Sequence, residues 1–403
     1  MSLKFNIEKF IGENITNRTQ SLFAADLEHF ENRLREEIEG KKVLVIGGAG
    51  TIGSSYIRAL VKYHPAKLIV VDINENGLTE LVRDCRSRND IQLPQDFKTY
   101  PVNFNDKVFA KIFRQEGPFD IVANFAAHKH VRSEKDIFSI EAMIDNNVVR
   151  AKALLDLLLE NPPTHFFCVS TDKAANPVNV MGASKKLMEE VILAYSEKLK
   201  ITTARFANVA FSNGSLLAGF IDRVLKQQPL SCPSDVKRFF VSPDESGQIC
   251  LCACVLGGSG DIFFPKLADE TMVKFADVVE PFLKSIGYEM KVCSSEEEAR
   301  NMGDAIESGQ YPVYFFTSNT SGEKLYEEFY TDGEELDLDT YRAFGVVKNA
   351  ARRKIEELDE VIHSLKQVFA SDRAEKKDIV AALNKMIPGF EHIETGLGLD
   401  QKM

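Results

Sequence analysis

The sequence predicts an α/β protein of the Rossmann type: a doubly wound parallel sheet with a smaller substrate-binding lobe and extra terminal helices. Three observations carry that expectation. From Lys42 onward, short apolar strands alternate with helical stretches. This pattern builds a parallel sheet with ligands at the carboxyl ends of its strands. A glycine-rich turn, Gly47-Gly-Ala-Gly50-Thr-Ile-Gly53, directly follows the first apolar strand. An acid and an amine stand side by side where the fifth strand ends, in Ser170-Thr-Asp-Lys-Ala174.

Taken in order, residues 1–40 read as a helical N-terminal arm. Leu22, Leu27, Phe30, Leu34 and Ile38 recur at helical spacing, which suits docking or dimer formation. Strands are expected at 43–46, 68–71, 99–102, 121–124, 166–169 and 202–206. Helices are expected at 52–63, 76–87, 106–115, 139–160 and 180–198. Together they assign residues 41–206 to a dinucleotide-binding domain, to which 241–262 return. Residues 207–240 and 263–345 form the substrate-binding lobe, with 294–310 an acidic, solvated helical face. Residues 346–403 form a C-terminal helical extension.

Composition narrows the function. The chain has 403 residues, enough to bury a large core, and a net charge of −11. Without a basic run, it is not expected to bind nucleic acid. The longest apolar run, 249–256, falls far short of the ~18 residues that a membrane span needs. No signal-peptide core opens the sequence, and seven cysteines without a framework spacing fit a reducing cytoplasm. Cys250, Cys252 and Cys254 form a CxCxC run, but no His or Cys pair stands nearby. Buried thiols on one helix are expected there, and no metal.

The glycine turn lets backbone approach a pyrophosphate whose charge meets the N-terminus of the next helix. Gly47, Gly50, Thr51, Ile52 and Gly53 are the candidate cofactor contacts. Asp72 ends the second strand nineteen residues after Gly53, where a carboxylate can take the adenine ribose hydroxyls. The following residues, Ile73-Asn74-Glu75-Asn76, offer no arginine for a 2′-phosphate, so NAD is expected over NADP. Asn103 and Asp106 close the third strand and could edge the adenine, although Asp106 could equally cap a helix. At the fifth strand, Asp172 and Lys173 can address two different substrate atoms, and Lys185 lies about three turns into the next helix.

Several further motifs occur in order: Ala126-Ala-His-Lys-His-Val131, Asn179-Val-Met-Gly-Ala-Ser-Lys185, Arg205-Phe-Ala-Asn-Val209, Arg238-Phe-Phe240 and Gly322-Glu-Lys-Leu-Tyr-Glu-Glu328. With the glycine turn and Ser170–Ala174, they make the chain resemble the extended short-chain dehydrogenase/reductases. More narrowly, it is similar to the polysaccharide-biosynthesis nucleotide-sugar 4,6-dehydratases, typified by UDP-N-acetylglucosamine 4,6-dehydratase. The resemblance implies oxidation at sugar C4 by NAD, loss of water across C5 and C6, and return of the hydride to C6. It implies that Lys173 removes the C5 proton, Asp172 protonates the departing C6 hydroxyl, and Lys185 holds the nicotinamide ribose. Lys173 can act as base only if burial or a cation lowers its pKa. The loop of Ala126, His128 and His130 becomes a wall of the cofactor pocket, and neither histidine is expected to be catalytic. Asn208 and Arg238 match positions that touch the substrate diphosphate, with Ser212 and Asn213 weaker candidates.

The chain departs from the family pattern in three places. Met181 replaces the usual tyrosine, which leaves Thr171 with Lys185, Asp172 or a water to deprotonate the C4 hydroxyl. Methionine here also resembles one branch of these dehydratases, in which C5 configuration is retained. The histidine loop reads Val131-Arg132-Ser133-Glu134-Lys135 instead of Val-Pro, and Thr320-Ser321 replaces an Arg-Pro pair. Arg132 or Lys135 could supply the missing diphosphate contact. Two rival readings stand beside the dehydratase: a 4-epimerase, or a dehydratase on another nucleotide such as GDP, and a non-catalytic NAD-binding partner protein. A homodimer or higher homo-oligomer is expected, formed through the terminal helices.

Overall fold

Strands buried on both faces need apolar side chains at nearly every position, and that is how the central strands of this chain read. The computed structural model describes residues 5–130, 134–318, 327–371 and 373–392. Six strands form the parallel part of the main sheet: β1 (Lys42–Ile46), β2 (Lys67–Val71), β3 (Asp96–Tyr100), β4 (Ile121–Asn124), β5 (His165–Val169) and β6 (Ile201–Ala204). Their spatial order is 3-2-1-4-5-6, the doubly wound order whose direction reverses between β1 and β4. Ile262–Pro265 adds to β6 in parallel, and Phe344–Lys348 then pairs antiparallel with it. Glu335–Asp337 closes the nine-stranded sheet.

The last two strands correct the expected domain boundaries. The expected boundary at 345/346, between the smaller lobe and the C-terminal extension, falls inside the strand Phe344–Lys348, which pairs with the main sheet edge, as does Glu335–Asp337. The smaller lobe has its own parallel sheet, Glu289–Cys293, Gln310–Phe316 and Leu230–Pro233. Around it Leu217, Phe220, Val279, Phe282 and Tyr311 form a separate core. The acidic stretch 294–310 holds two short helices, Glu296–Asn301 and Gly303–Glu307, which bury Ala299 and Ile306.

The expected helix 139–160 is broken. Ile137–Ile144 and Arg150–Leu158 are α-helical, but Asp145–Val149 makes a π-turn between them. Helix Pro243–Leu256 is buried almost all round, and its three thiols, Cys250, Cys252 and Cys254, lie in the core.

The terminal helices spend their apolar faces inside the chain. Phe10 and Ile11 enter the smaller lobe's core, whereas Phe23, Leu34 and Ile38 enter the main one. Helices Ile355–Phe369 and Lys376–Met386 bury Leu358, Ile362, Leu365, Ile379 and Leu383 in the main core. Arg353 pairs with Glu190 at 2.8 Å and Asp359 with Lys152 at 3.2 Å, which fixes them to the domain. These faces are therefore not free for the intersubunit role expected of them.

Candidate active site

The glycine turn sits at the reversal between β1 and β4. Gly47 adopts φ +76°, and a Cβ there would lie 2.6 Å from the Ala126 nitrogen. At Gly53 a Cβ would lie 2.3 Å from the Gly47 carbonyl oxygen. Only glycine permits this closeness of turn, helix and β4 loop. Gly50 is the N-cap of helix Thr51–Leu60, whose first amides face the turn. The Asp72 carboxylate accepts from the Ala49 and Asn74 amides, both at 2.9 Å. It thus braces the turn with one lone pair of each oxygen, leaving the others for a ribose. The Thr51 hydroxyl accepts from the Asn213 amide at 2.9 Å and joins the turn to the smaller lobe's loop. Asn103 lies beyond the end of β3, where its side-chain oxygen accepts from the Asn105 amide. Asp106 holds the N-cap position of helix Lys107–Glu116 without a side-chain cap bond.

A cavity of about 230 Å³ opens at the ends of β4 and β5. Thr171, Asp172, Lys173, Met181, Lys185, Asn208, Ser212 and Ile52 all line it. The sheet thus brings the expected catalytic residues together with two of the expected substrate contacts. The architecture around them is tight. Asn179 caps helix Val180–Ala194 through the Gly182 amide at 2.6 Å. A Cβ on Gly182 would lie 2.7 Å from the Lys173 carbonyl oxygen. Glycine therefore lets the Asp172–Lys173 turn rest against the helix that carries Met181 and Lys185.

Within the cavity, Lys173 Nζ donates to both Asp172 carboxylate oxygens at 3.1 Å. The Thr171 hydroxyl donates to Asp172 Oδ1 at 2.7 Å. Lys185 is buried, and its ammonium donates to the Val169 carbonyl at 2.7 Å. Burial lowers the Lys185 pKa, against the weaker pull of Cys168 and Glu189. Lys173 behaves the opposite way. Burial disfavours its charge, but Asp172 and then Glu327 outweigh burial and raise its pKa. The condition set for a lysine base is therefore not met in the free site, which holds an ammonium.

Three buried polar residues that were not singled out in the sequence complete the site. Glu327 accepts from the Asn208 side-chain amide and, at 3.1 Å, from the Phe239 amide. It lies 3.7 Å from Lys173 Nζ and 3.6 Å from Arg238 Nε. Burial, reinforced by Asp172, pushes its pKa up to about 7 against the pull of Lys173 and Arg238. Glu134 accepts from the Met181 amide at 2.9 Å. Asn147, inside the π-turn, accepts from the His128 amide and donates to its carbonyl, both at 2.9 Å. Its amide also donates to Ser184 at 3.0 Å, so it ties the histidine loop to the catalytic helix. The signal was present for Asn147, since Asn146-Asn147 interrupts an otherwise apolar run. Arg132 and Thr320-Ser321 lie outside the described residues, and Lys135 is exposed.

The model of the polysaccharide biosynthesis protein family matches residues 43–349. The chain belongs to that family. The match takes in every candidate site residue named above. A family relative from Methanocaldococcus jannaschii, named uncharacterized membrane protein MJ1061, is 30% identical over 76% of this chain and 85% of its own. The probable polysaccharide biosynthesis protein EpsC of Bacillus subtilis is 27% identical over 75% of this chain, which spans only 47% of that relative's length. Two activities are named among more distant relatives. The UDP-N-acetylglucosamine 4,6-dehydratase (inverting) of Campylobacter jejuni is 26% identical over 60% of this chain and 72% of its own. The UDP-glucose 4-epimerase of Rickettsia canadensis is 26% identical over 81% and 97%. The fold matches DesIV, a dTDP-glucose 4,6-dehydratase from Streptomyces venezuelae solved with NAD, at TM-score 0.54 and 19% identity over 72% of this chain and 88% of that one. Relatives of the chain thus include a nucleotide-sugar dehydratase and an epimerase. Among the described residues, no helix is long and apolar enough to cross a membrane.

Proposed function

We propose that the chain is an NAD-dependent nucleotide-sugar 4,6-dehydratase acting on UDP-N-acetylglucosamine for surface polysaccharide synthesis. The observation that carries this reading is the Asp172–Lys173 pair in one cavity with Lys185. An elimination needs a base at C5 and an acid at C6, whereas epimerisation at C4 needs acid–base help only at the C4 hydroxyl.

The residues around the glycine turn fit NAD. Gly47 and Gly53 leave backbone room for a pyrophosphate, and Asp72 keeps acceptor capacity for the ribose while repelling a 2′-phosphate. When bound, NAD supplies the hydride acceptor at C4 and the hydride donor at C6. Lys185, held at the end of β5 through the Val169 carbonyl, would bind the nicotinamide ribose and support the oxidation step. Lys173 takes the C5 proton, and Asp172 delivers a proton to the leaving C6 oxygen. The ion pair and the neutral Lys–AspH pair differ by one proton transfer over 3.1 Å. The neutral form has both groups in the states that elimination requires. Thr171, already bonded to Asp172, is the hydroxyl nearest the task that Met181 cannot perform.

A 4-epimerase is the second reading, favoured by the Rickettsia relative, which aligns along nearly its whole length. The deciding experiment incubates the protein with UDP-N-acetylglucosamine in deuterated water and follows the sugar by NMR. A 4-keto-6-deoxy product with deuterium at C5 is expected. A C4-inverted sugar without C5 exchange would establish the epimerase. NAD binding without turnover on any sugar nucleotide, GDP-linked ones included, would leave only a non-catalytic role.

A further inference from the structure

Glu327 sits where a substrate anion should. Its carboxylate is held by the Asn208 side-chain amide and the Phe239 N–H, with Arg238 and Lys173 beside it. Two N–H donors and two cations around one buried anion form the kind of donor set that binds phosphate. Asn208 and Arg238 are the residues whose motifs point to the substrate diphosphate. Both are turned to the chain's own glutamate.

We propose that Glu327 is an internal occupant of the anion seat made by Asn208, the Phe239 amide and Arg238, and that the diphosphate of the substrate displaces it. The identity of the displacing anion rests on the nucleotide-sugar reading; the existence of the seat does not.

Three physical points support the exchange. An empty seat would leave the buried Phe239 N–H and the Asn208 side-chain amide without the acceptor they now have, which is costly, so the free chain is better off with a stand-in. The stand-in is loosely committed, because burial and Asp172 already favour its neutral form. The segment that carries it is pinned just downstream: buried Arg205 donates to the Phe329 carbonyl at 3.1 Å and to Glu334 at 2.8 and 2.9 Å. The Glu327 side chain can therefore leave without unfolding its strap.

Displacement preserves the charge balance at Lys173. Asp172 and Glu327 together hold Lys173 as an ammonium. The diphosphate that takes the seat brings at least as much negative charge as the carboxylate it replaces, so Lys173 stays an ammonium until its proton passes to Asp172 within the pair. The charged groups facing Glu327 in this exchange are Asp172, Lys173 and Arg238.

The test is calorimetric binding of inorganic pyrophosphate and of UDP to the wild type, Glu327→Gln and Glu328→Gln. The last makes the same charge change one residue away, where Glu328 bonds Asn176. Glu327→Gln should bind both probes at least tenfold tighter, and Glu328→Gln should stay within twofold of the wild type. In turnover, Glu327→Gln should lower KM with kcat little changed, a split that a merely structural role would not produce. Affinity unchanged or weaker in Glu327→Gln overturns the proposal, as does the absence of binding to any of the three proteins. A kcat loss above a hundredfold at unchanged affinity overturns it too, by making Glu327 a catalytic acid or base. If Glu327→Gln tightens pyrophosphate but UDP binds no better than pyrophosphate, the seat stands and the nucleotide reading falls. Should Glu327→Gln not fold, Glu327→Asp withdraws the charge by one methylene and should tighten pyrophosphate about threefold; no tightening overturns the proposal.

Discussion

The ammonium of Lys173 lies 3.1 Å from each carboxylate oxygen of Asp172, so acid and base are stored as one ion pair. Each neutralises the other until a proton crosses between them. Removing either member should stop elimination but leave the earlier oxidation possible. In Lys173→Ala, dehydration should fall about 10²–10⁴-fold, the usual contribution of a positioned general base. Reduced cofactor should still accumulate on adding sugar nucleotide, visible as NADH absorbance. Loss of both signals would refute the assignment.

The same pair predicts a shift in pH dependence. Asp172 is the main charge that raises the Lys173 pKa above its ordinary value. In Asp172→Asn that support disappears, so the Lys173 pKa must fall. The residual activity should show its acid limb at lower pH than the wild type, in a pH–rate profile of single turnovers.

Gly53→Ala should abolish cofactor retention. The added Cβ would lie 2.3 Å from the Gly47 carbonyl oxygen and 2.8 Å from Gly48 Cα, both backbone atoms that cannot swing aside. A cost of about 1–3 kcal/mol in stability is expected from such overpacking. Nucleotide released on denaturing the purified protein provides the readout.

Arg205 is fully buried and pairs with two carboxylates, Glu189 and Glu334, each at 2.8 Å. Arg205→Met would strand both acids in the interior. A loss of about 3–5 kcal/mol is expected, the usual cost of leaving a buried charge without its partner. Urea unfolding measures it, and a loss under 1 kcal/mol would mean that water reaches the cluster.

Acid stability should depend on Glu116. Its hydrogen bonds to Lys67, then Lys98, hold its pKa down to about 2 from an ordinary 4.5. A folded-state value below the unfolded one gives stability that is present above pH 4.5 and lost as pH falls toward 2. Glu116→Gln should be less stable than the wild type at pH 6, with the gap closing near pH 2. Denaturant midpoints across that range test the sign.

The parts of this site that were legible in the sequence are those that one strand end determines locally. The glycine turn, Asp72 and Ser170–Ala174 each follow directly from a strand, so chain order alone placed them at the carboxyl edge of one parallel sheet. Glu327 was not legible in that way, although its motif was noticed. Its partners lie at 173, 208, 238 and 239, and only tertiary folding brings them to it. An acidic pair in a charged stretch otherwise reads as a solvated surface. The π-turn at Asp145–Val149 was missed for a related reason, since an apolar helical period hides a one-residue slip. Strand Phe344–Lys348 was divided between lobe and C-terminal extension because its partner, Ile262–Pro265, lies some eighty residues earlier.

The anchoring of the 327–334 strap by Arg205 also sets a timetable for the protein's synthesis. A nascent chain that has emerged only to β6 already carries the glycine turn, Asp72, Asp172, Lys173 and Lys185. It lacks Glu327, together with Asn208 and Arg238 that hold Glu327 beside the Asp172–Lys173 pair. A ribosome-bound or truncated intermediate could hold a dinucleotide, yet its reactive lysine would face water. Competence therefore arrives late, once the last third of the chain has folded back over the first.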